Sequence, residues 1–297
     1  MRRRLIVAII SLIVVAFILI YLLIPSPLTA SGRVSFNVNS NTTYHALAEQ
    51  KNWDKWSPET FRITNHLVNT IELDVTNKSA TIPVSLLLIP VAKDSTIVVW
   101  KATFSESPNP LTRANQYSQS LDLKELMDKA LMNFRSFVQE SENIYGIHIR
   151  ETSTKDTFLI ATRFVSDTFP SNQIVYNNIN KLRSYAAQND ATEAGFPMLN
   201  VSKTDSSTFN CMVALPINKI VDGKGSVFFV RMVPGRFLTA EVTGGPNTIN
   251  NAHRMMEQYF KDFNRVSMAI PFEYLVTDRL KETDTTKWIT RIYGPVY

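Results

Sequence analysis

The run of apolar residues from Leu5 to Ile24 limits the fold more than any other feature of the sequence. A helix rises about 1.5 Å per residue, so a helix of this length spans about 30 Å, the thickness of the hydrocarbon layer of a membrane. Three arginines at positions 2–4 precede the run, and the next basic residue is Arg33. By the positive-inside rule, this pattern predicts a cytoplasmic basic tail over 1–4 and a transmembrane helix over 5–24.

The same rule predicts that everything after the helix lies outside the cytoplasm. We expect residues 25–31 to form a short linker and the rest of the chain to be extracytoplasmic, which means periplasmic in a Gram-negative bacterium. One alternative is a cleaved signal peptide, but the apolar region of a signal peptide is usually about 7–15 residues long. The other alternative is a buried core helix.

The charge of the chain argues against a nucleic-acid partner. The formal net charge is +5, but the arginines at 2–4 are the only charged residues among the first thirty. The rest of the chain therefore carries 28 basic and 26 acidic residues, a net charge of +2. Nucleic-acid-binding domains concentrate positive charge in a patch or stripe, which this sequence lacks. Protein partners stay open.

The residues after the linker predict an α+β domain over 32–142. Val34, Phe36 and Val38 alternate with polar residues, as in a half-buried strand. Over 121–142, apolar residues recur at three- and four-residue spacing, which predicts a long amphipathic helix. Between these elements we expect a short helix at 42–51 and strands at 61–75, 79–91 and 95–105.

The segment Asn52-Trp53-Asp54-Lys55-Trp56-Ser57-Pro58 carries a first resemblance to known proteins. With the order strand, short helix, strands and long final helix, it resembles the SRPBCC (START/polyketide-cyclase-like) superfamily. The resemblance implies a helix-grip domain, truncated here because few strands are predicted. We expect Trp53 and Trp56 to fill the core of this domain, with a ligand cavity as the alternative.

The remaining residues, 145–297, divide into two similar halves, each with the order strand, helix, strand, strand. A duplicated unit predicts one sheet with a pseudo-two-fold axis and a groove between two helices, and such grooves are common ligand sites. In the first half we expect a helix at 171–188 and strands at 156–165, 197–203 and 208–216. In the second half we expect a helix at 246–264, a strand or strand pair at 225–242 with a break at Pro234-Gly235, and strands at 271–277 and 287–293.

Four segments of these halves carry a second resemblance. They are Val233-Pro234-Gly235-Arg236-Phe237, Gly244-Gly245-Pro246, the run 271–278 and the run 288–296. In order and spacing they resemble the GyrI-like small-molecule-binding domain, which is also the effector-binding domain of AraC- and MerR-type regulators. The resemblance implies a pocket for a small ligand. Because no helix-turn-helix precedes the domain, we do not expect direct transcriptional control.

Glu273 is the strongest candidate for a ligand-binding residue. It lies in an apolar strand between Phe272 and Tyr274. In the family, the matching glutamate faces the pocket and receives cationic, aromatic ligands, so the resemblance implies the same role for Glu273. Since successive residues of a strand face opposite sides, Tyr274 is expected in the core. A solvent-facing Glu273 is the alternative.

Four aromatic residues are further candidates for the pocket, although each also suits a core position: Phe158, Phe228, Trp288 and Tyr293. His253, on the second predicted helix, is expected to face solvent. The histidines are scattered along the chain, and the single cysteine, Cys211, lies in an apolar run. We therefore expect neither a metal nor a cofactor.

Together these patterns predict a membrane-anchored, extracytoplasmic protein that binds a small amphipathic ligand, with a cationic aromatic compound as one option. The sequence contains no H-E-x-x-H, G-x-S-x-G or Walker A motif, so we expect binding rather than catalysis. Two alternatives stay open. The first is a hydrolase of a reactive small molecule with Glu273 as general base. The second is a non-catalytic scaffold or partner-binding protein with filled pockets.

Overall fold

The computed structural model contains helices and two antiparallel sheets, which confirms the predicted α+β class. The chain separates into two compact units, Met1–Glu140 and Ser141–Tyr297. Pro58, Val233 and the first residues of the predicted strands at 79–91 and 156–165 lie outside the described residues. The described residues are 2–57, 60–77, 80–155, 157–204, 208–232, 234–267 and 270–296.

The first helix, α1, spans Arg2–Leu23. The stretch Arg3–Leu23 has a mean hydropathy of 3.3 in its most apolar window, and none of that window is buried. Its length and composition suit a membrane-spanning helix, a test that a signal sequence also passes. The prediction of one long apolar helix at the N-terminus is thus confirmed.

The rest of the first unit is a five-stranded antiparallel sheet with three helices. The strands follow the order β1-β5-β4-β3-β2 across the sheet. Their bounds are β1 Thr29–Phe36, β2 Thr60–His66, β3 Thr70–Asn77, β4 Ala80–Ala92 and β5 Ser95–Thr103. The helices are α2 Ser40–Ala48, α3 Gln50–Trp56 and α4 Pro110–Val138.

Three elements of the first unit differ from the prediction. The helix expected at 42–51 is two helices, because Glu49 adopts an extended conformation (φ −93°, ψ 107°) between α2 and α3. The run 61–75 is a hairpin of two strands, β2 and β3. The long helix begins earlier than expected because the Asn109 side chain accepts a hydrogen bond from the Leu111 amide and caps it.

Aromatic side chains fill the core of the first unit. Trp53 and Trp56 are buried, and their rings lie 4.4 Å apart. The Trp56 ring is 4.9 Å from Phe134, which projects from the apolar face of α4 that the sequence predicts. Phe134 also lies 5.4 Å from Phe36 of β1, so this ring joins α3, α4 and the sheet.

The second unit is an eight-stranded antiparallel sheet with two long helices. The order of its strands is β10-β7-β9-β8-β12-β13-β11-β6. Their bounds are β6 Arg150–Thr154, β7 Thr157–Ser166, β8 Met198–Lys203, β9 Phe209–Ile217, β10 Phe228–Met232, β11 Gly235–Thr243, β12 Phe272–Leu275 and β13 Ile289–Val296. The helices are α5 Ser141–Tyr145, α6 Asn172–Gln188 and α7 Pro246–Asp262, with a 3-10 turn at Thr285–Lys287.

The sheet has an internal symmetry. If β6, β7, β8 and β9 are exchanged with β10, β11, β12 and β13 respectively, the strand order from one edge becomes the strand order from the other edge. Each half then runs strand, strand, helix, strand, strand, and its first strand pairs with the other half: β6 with β11, and β10 with β7. β6 is absent from the predicted strands, because Arg150–Thr154 is polar throughout and lacks an apolar alternation.

The sheet of the second unit curls on itself. β10 and β11 stand six strands apart in the sheet order, which in a flat sheet would separate them by about 29 Å. Only residues 233–234 connect them, and a three-residue step spans about 10 Å at most. The sheet therefore bends until these strands approach each other, which creates an inner and an outer face.

Apolar side chains cover both faces. On the outer face, one cluster of buried residues packs with α6 and a second packs with α7. On the inner face lies a third cluster, named the inner cluster, whose buried members are Leu159, Ala161, Met198, Ala214, Phe237 and Phe272.

We predict that Phe134→Ala destabilises the first unit by about 3–5 kcal/mol, because it removes a buried aromatic ring and leaves a cavity. Met132→Ala on the same helix is the control, since Met132 is half exposed and its loss is expected to cost about 0.5 kcal/mol or less. Chemical denaturation of the full chain measures both. Equal destabilisation by the two substitutions would contradict this account of the core.

Candidate ligand-binding site

A cavity of about 690 Å³ lies against the inner cluster. Its walls come from both halves of the curled sheet, including β8, β9, β11 and β12. The lining is predominantly apolar, and none of its described residues is acidic. Six of the residues that line it are Met198, Met212, Ala214, Met232, Phe237 and Phe272.

Methionine and phenylalanine side chains line the cavity. The three methionines have flexible, polarisable side chains that adjust to ligands of different shape. The Phe272 ring stacks on Tyr293 at 5.0 Å and meets Phe237 edge-on at 5.7 Å. Burial in this apolar region raises the pKa of Tyr274, which lies 5.0 Å from Tyr293. The inner face is thus an environment of low polarity.

A smaller cavity of about 430 Å³ shares Asn200, Met212 and Ile270 with the first. Its remaining lining combines the polar residues Arg163, Ser202 and Asn210 with Phe164, Val165 and Cys211. The shared residues place Arg163 next to the large apolar cavity.

Glu273 lies on the outer face and not in the inner cavity. Its neighbours across the sheet are Leu199 and Ile292, which belong to the clusters under α6 and α7. Tyr274 faces the opposite side and packs against the inner cluster, as strand alternation predicts. Its membership of the core was therefore predicted correctly, although that core borders the cavity.

Protein groups already contact both carboxylate oxygens of Glu273. His253 Nε2 of α7 lies 2.9 Å from Oε1, and Arg279 Nη2 donates to Oε2 at 3.4 Å. Arg279 also donates to Thr290 Oγ1 at 2.8 Å, and its guanidinium lies 5.2 Å from the centre of the Trp288 ring. The Glu273 and Arg279 side chains are only 13% and 8% exposed. The Arg279 guanidinium therefore occupies the position between the Trp288 ring and the Glu273 carboxylate.

The five predicted site residues lie on two faces of the sheet. Glu273 and Trp288 meet on the outer face through Arg279. Phe158 is also on the outer face, against the cluster under α6. Tyr293 and Phe228 are on the inner face, against the inner cluster. The structure therefore does not bring the five together.

Sequence reasoning missed Arg279 and mistook the position of His253. Arg279 lies in the irregular segment between β12 and β13, where no periodicity indicates which way a side chain points. His253 was expected to face solvent but is half-buried at Glu273. The sequence did contain a signal for this position. Residues four apart lie on the same face of a helix, and Ile249, four residues before His253 in α7, is buried.

Two other features bear on reactivity. Cys211 is buried, as expected, and burial raises the pKa of its thiol, which disfavours the nucleophilic thiolate. Within the described stretches, no group of three His, Cys, Asp or Glu side chains is placed to hold a metal ion.

No protein-family model and no curated protein matches the sequence. Several solved structures resemble part of the chain. The EcmrR C-terminal domain is 16% identical, with a TM-score of 0.42, over 51% of this chain and 98% of its own. A hydrolase from Listeria innocua is 11% identical, with a TM-score of 0.38, over 50% and 92%. SAV2435 bound to tetraphenylphosphonium is 15% identical, with a TM-score of 0.34, over 50% and 94%. Similarity at this level does not establish a shared function.

We predict that Arg279→Leu destabilises the second unit by about 3–5 kcal/mol, because it leaves the Glu273 carboxylate buried without its cationic partner. Adding Glu273→Gln to Arg279→Leu is expected to restore part of the loss, because the uncompensated charge disappears. Chemical denaturation of the single and double variants at neutral pH gives the coupling energy.

Lys287→Gln is the matched control for this cycle. Lys287 also lies 3.4 Å from a carboxylate, that of Asp284, but both side chains are largely exposed. Its loss is expected to cost far less stability than the loss of Arg279, because solvent screens an exposed pair. A loss of stability with Arg279→Leu no larger than that with Lys287→Gln would contradict the buried pair.

Proposed function

We propose that the second unit binds a small amphipathic molecule in the cavity on the inner face of the curled sheet. The observation that carries this proposal is the cavity itself, about 690 Å³ of space walled by apolar side chains. Cavities of about 300–1,000 Å³ with such linings are typical small-molecule sites. Apolar surface exposed to water in the cavity favours a ligand that covers it, because removing apolar surface from water lowers the free energy.

We further propose that this unit is a duplicated GyrI-like effector-binding domain with a pseudo-two-fold axis. Two observations support the proposal. The described residues of the four segments that carry the resemblance lie at β11, at the start of α7, at β12 and at β13. The strand order is unchanged when the two halves are exchanged. On this proposal, one cavity is built by equivalent strands of both halves.

The hydrolase alternative gains no support from the geometry around Glu273. A general base must reach the proton that it abstracts. Glu273 lies on the face opposite the cavity, and both of its oxygens contact His253 and Arg279. We therefore favour binding over turnover, and we assign the ligand to the inner face rather than to Glu273.

For the first unit we propose a truncated helix-grip domain of the SRPBCC type with a structural role. The order of β1, two short helices, four strands and the long α4 supports this assignment. Trp53, Trp56 and Phe134 occupy the space between the sheet and α4. This packing supports the filled-core alternative for this unit, as a scaffold for the membrane helix and the binding domain.

We also infer that α1 anchors the protein in a membrane, with residues 1–4 in the cytoplasm and the chain after residue 24 outside. The arginines at 2–4 and the apolar composition of α1 support this topology. Arg113 of α4 donates to the carbonyl oxygens of Tyr21 and Ile24, both at 3.3 Å, and stacks on the Tyr21 ring at 3.9 Å. These contacts attach the end of α1 to α4.

We predict that the full chain binds the neutral dye N-phenyl-1-naphthylamine saturably, and that Ala214→Phe weakens binding at least about tenfold, because the added ring occupies the cavity. Dye fluorescence measures binding to protein in lipid nanodiscs, with empty discs as the background. Ala187→Phe on the exposed side of α6 is the matched control and is expected to bind as the unchanged protein does. Equal binding by both variants, with the fold intact, would place the dye elsewhere.

We predict that the protein expressed in a Gram-negative bacterium stays in the membrane after carbonate extraction and keeps residues 1–24. Mass spectrometry of the purified chain decides between an anchor and a signal peptide, since cleavage would remove the N-terminal segment. Protease added to spheroplasts should digest the chain after α1 if that part lies outside the cytoplasm. Protection in intact spheroplasts, with digestion only after lysis, would reverse the topology.

A further inference from the structure

We infer that the molecule bound in the inner cavity is an anionic amphiphile, with its charged head group at Arg163 and its apolar part among the inner-face side chains. This inference rests on the proposed binding function and specifies the chemistry of the ligand. It replaces the cationic ligand that the sequence resemblance implied.

The Arg163 side chain projects from the inner face of the sheet. Arg163 of β7 is opposite Met212 of β9, which in turn is opposite Asn200 of β8. Residues paired across neighbouring strands point to the same face of a sheet. Met212 and Asn200 line the large cavity, so Arg163 projects from the same inner face and lines the smaller, adjoining cavity.

The residues along these strands differ in polarity. Moving two residues along each strand from this row leads to Ala161, Ala214 and Met198, all members of the inner cluster. Moving two residues the other way leads to Val165, Asn210 and Ser202, which line the smaller cavity and of which two are polar. An elongated molecule lying along the strands would therefore place one end in the inner cluster and the other end beside Arg163.

Arg163 brings a positive charge to the two adjoining cavities. Arg163 has no acidic partner among the described residues, and its guanidinium lies 5.0 Å from the centre of the Phe228 ring. By contrast, Arg291 on the same face is paired with Glu241 at 2.6 Å. None of the described residues that line either cavity is acidic. An anionic head group would meet one unpaired guanidinium, whereas a cationic head group would meet a like charge.

Glu273 is the acidic residue that the sequence resemblance assigns to a cationic ligand. Glu273 faces the outer side of the sheet, where Arg279 already satisfies its charge in a nearly buried pair. A cationic ligand at Glu273 would have to displace this internal arginine. Glu273 on the outer face is thus paired with Arg279. Arg163, beside the apolar cavity on the inner face, has no acidic partner among the described residues.

The test compares three dansyl probes with the same undecyl chain: the carboxylate, its methyl ester and the corresponding trimethylammonium compound. Each is titrated into the full chain in phosphatidylcholine nanodiscs, with empty discs as the background. We expect the carboxylate to bind at least about fivefold more tightly than the ester, since charge-assisted hydrogen bonds to a guanidinium are stronger than neutral ones. We expect the ammonium compound to bind most weakly.

Arg163→Gln should bring the affinity for the carboxylate down to that for the ester, and Arg163→Lys should retain part of the preference. Arg254→Gln is the matched control, because Arg254 lies exposed on α7 and lines neither cavity. Circular dichroism and the melting temperature verify that each variant is folded.

The outcomes separate this inference from the proposed function. Equal affinity for acid and ester, or a preference for the ammonium compound, would overturn the anionic ligand while leaving the cavity as a binding site. A preference for the acid that survives Arg163→Gln would overturn the role of Arg163. Failure of all three probes to bind would overturn the proposed function as well.

Discussion

The two-residue connection between β10 and β11 is the constraint on which the architecture of the second unit depends. These strands belong near opposite ends of an eight-stranded sheet, so the connection requires the sheet to curl. Curling separates the sheet into an outer face, on which α6 and α7 pack, and an inner face, which carries the inner cluster. The apolar inner face then encloses a cavity rather than a packed interface.

Strand alternation decides which chemistry reaches that cavity. Because Phe272 and Tyr274 face inward, Glu273 between them faces outward. On the outer side its carboxylate is nearly buried, and a buried carboxylate needs hydrogen bonds and an opposite charge. Arg279 supplies both from the segment before β13. The acid that might have selected a cationic ligand therefore contributes to the stability of the domain, and the charge that borders the cavity is that of Arg163.

Much of the fold could be predicted from the sequence, because apolar periodicity reports burial. The pattern of α6, α7 and most strands follows directly from their apolar faces. Polar β6 and the break at Glu49 could not be found in this way, since neither carries a periodic signal. The site was harder still. Its location depends on which face curls inward, a property of the strand order, and Arg279 reaches Glu273 from an irregular segment.

The measurement that tests the central claim most directly is methyl NMR of the full chain with ¹³C-labelled methionine, titrated with a neutral apolar ligand. The chain has nine methionines, few enough to assign by single substitutions. Met198, Met212 and Met232 line the inner cavity, whereas Met256 lies on the outer face beside His253 and Met127 is buried in the first unit. We predict saturable shifts of the first three and none for the other two. Shifts of Met256 with the cavity methionines unchanged would place the ligand on the outer face and contradict the account.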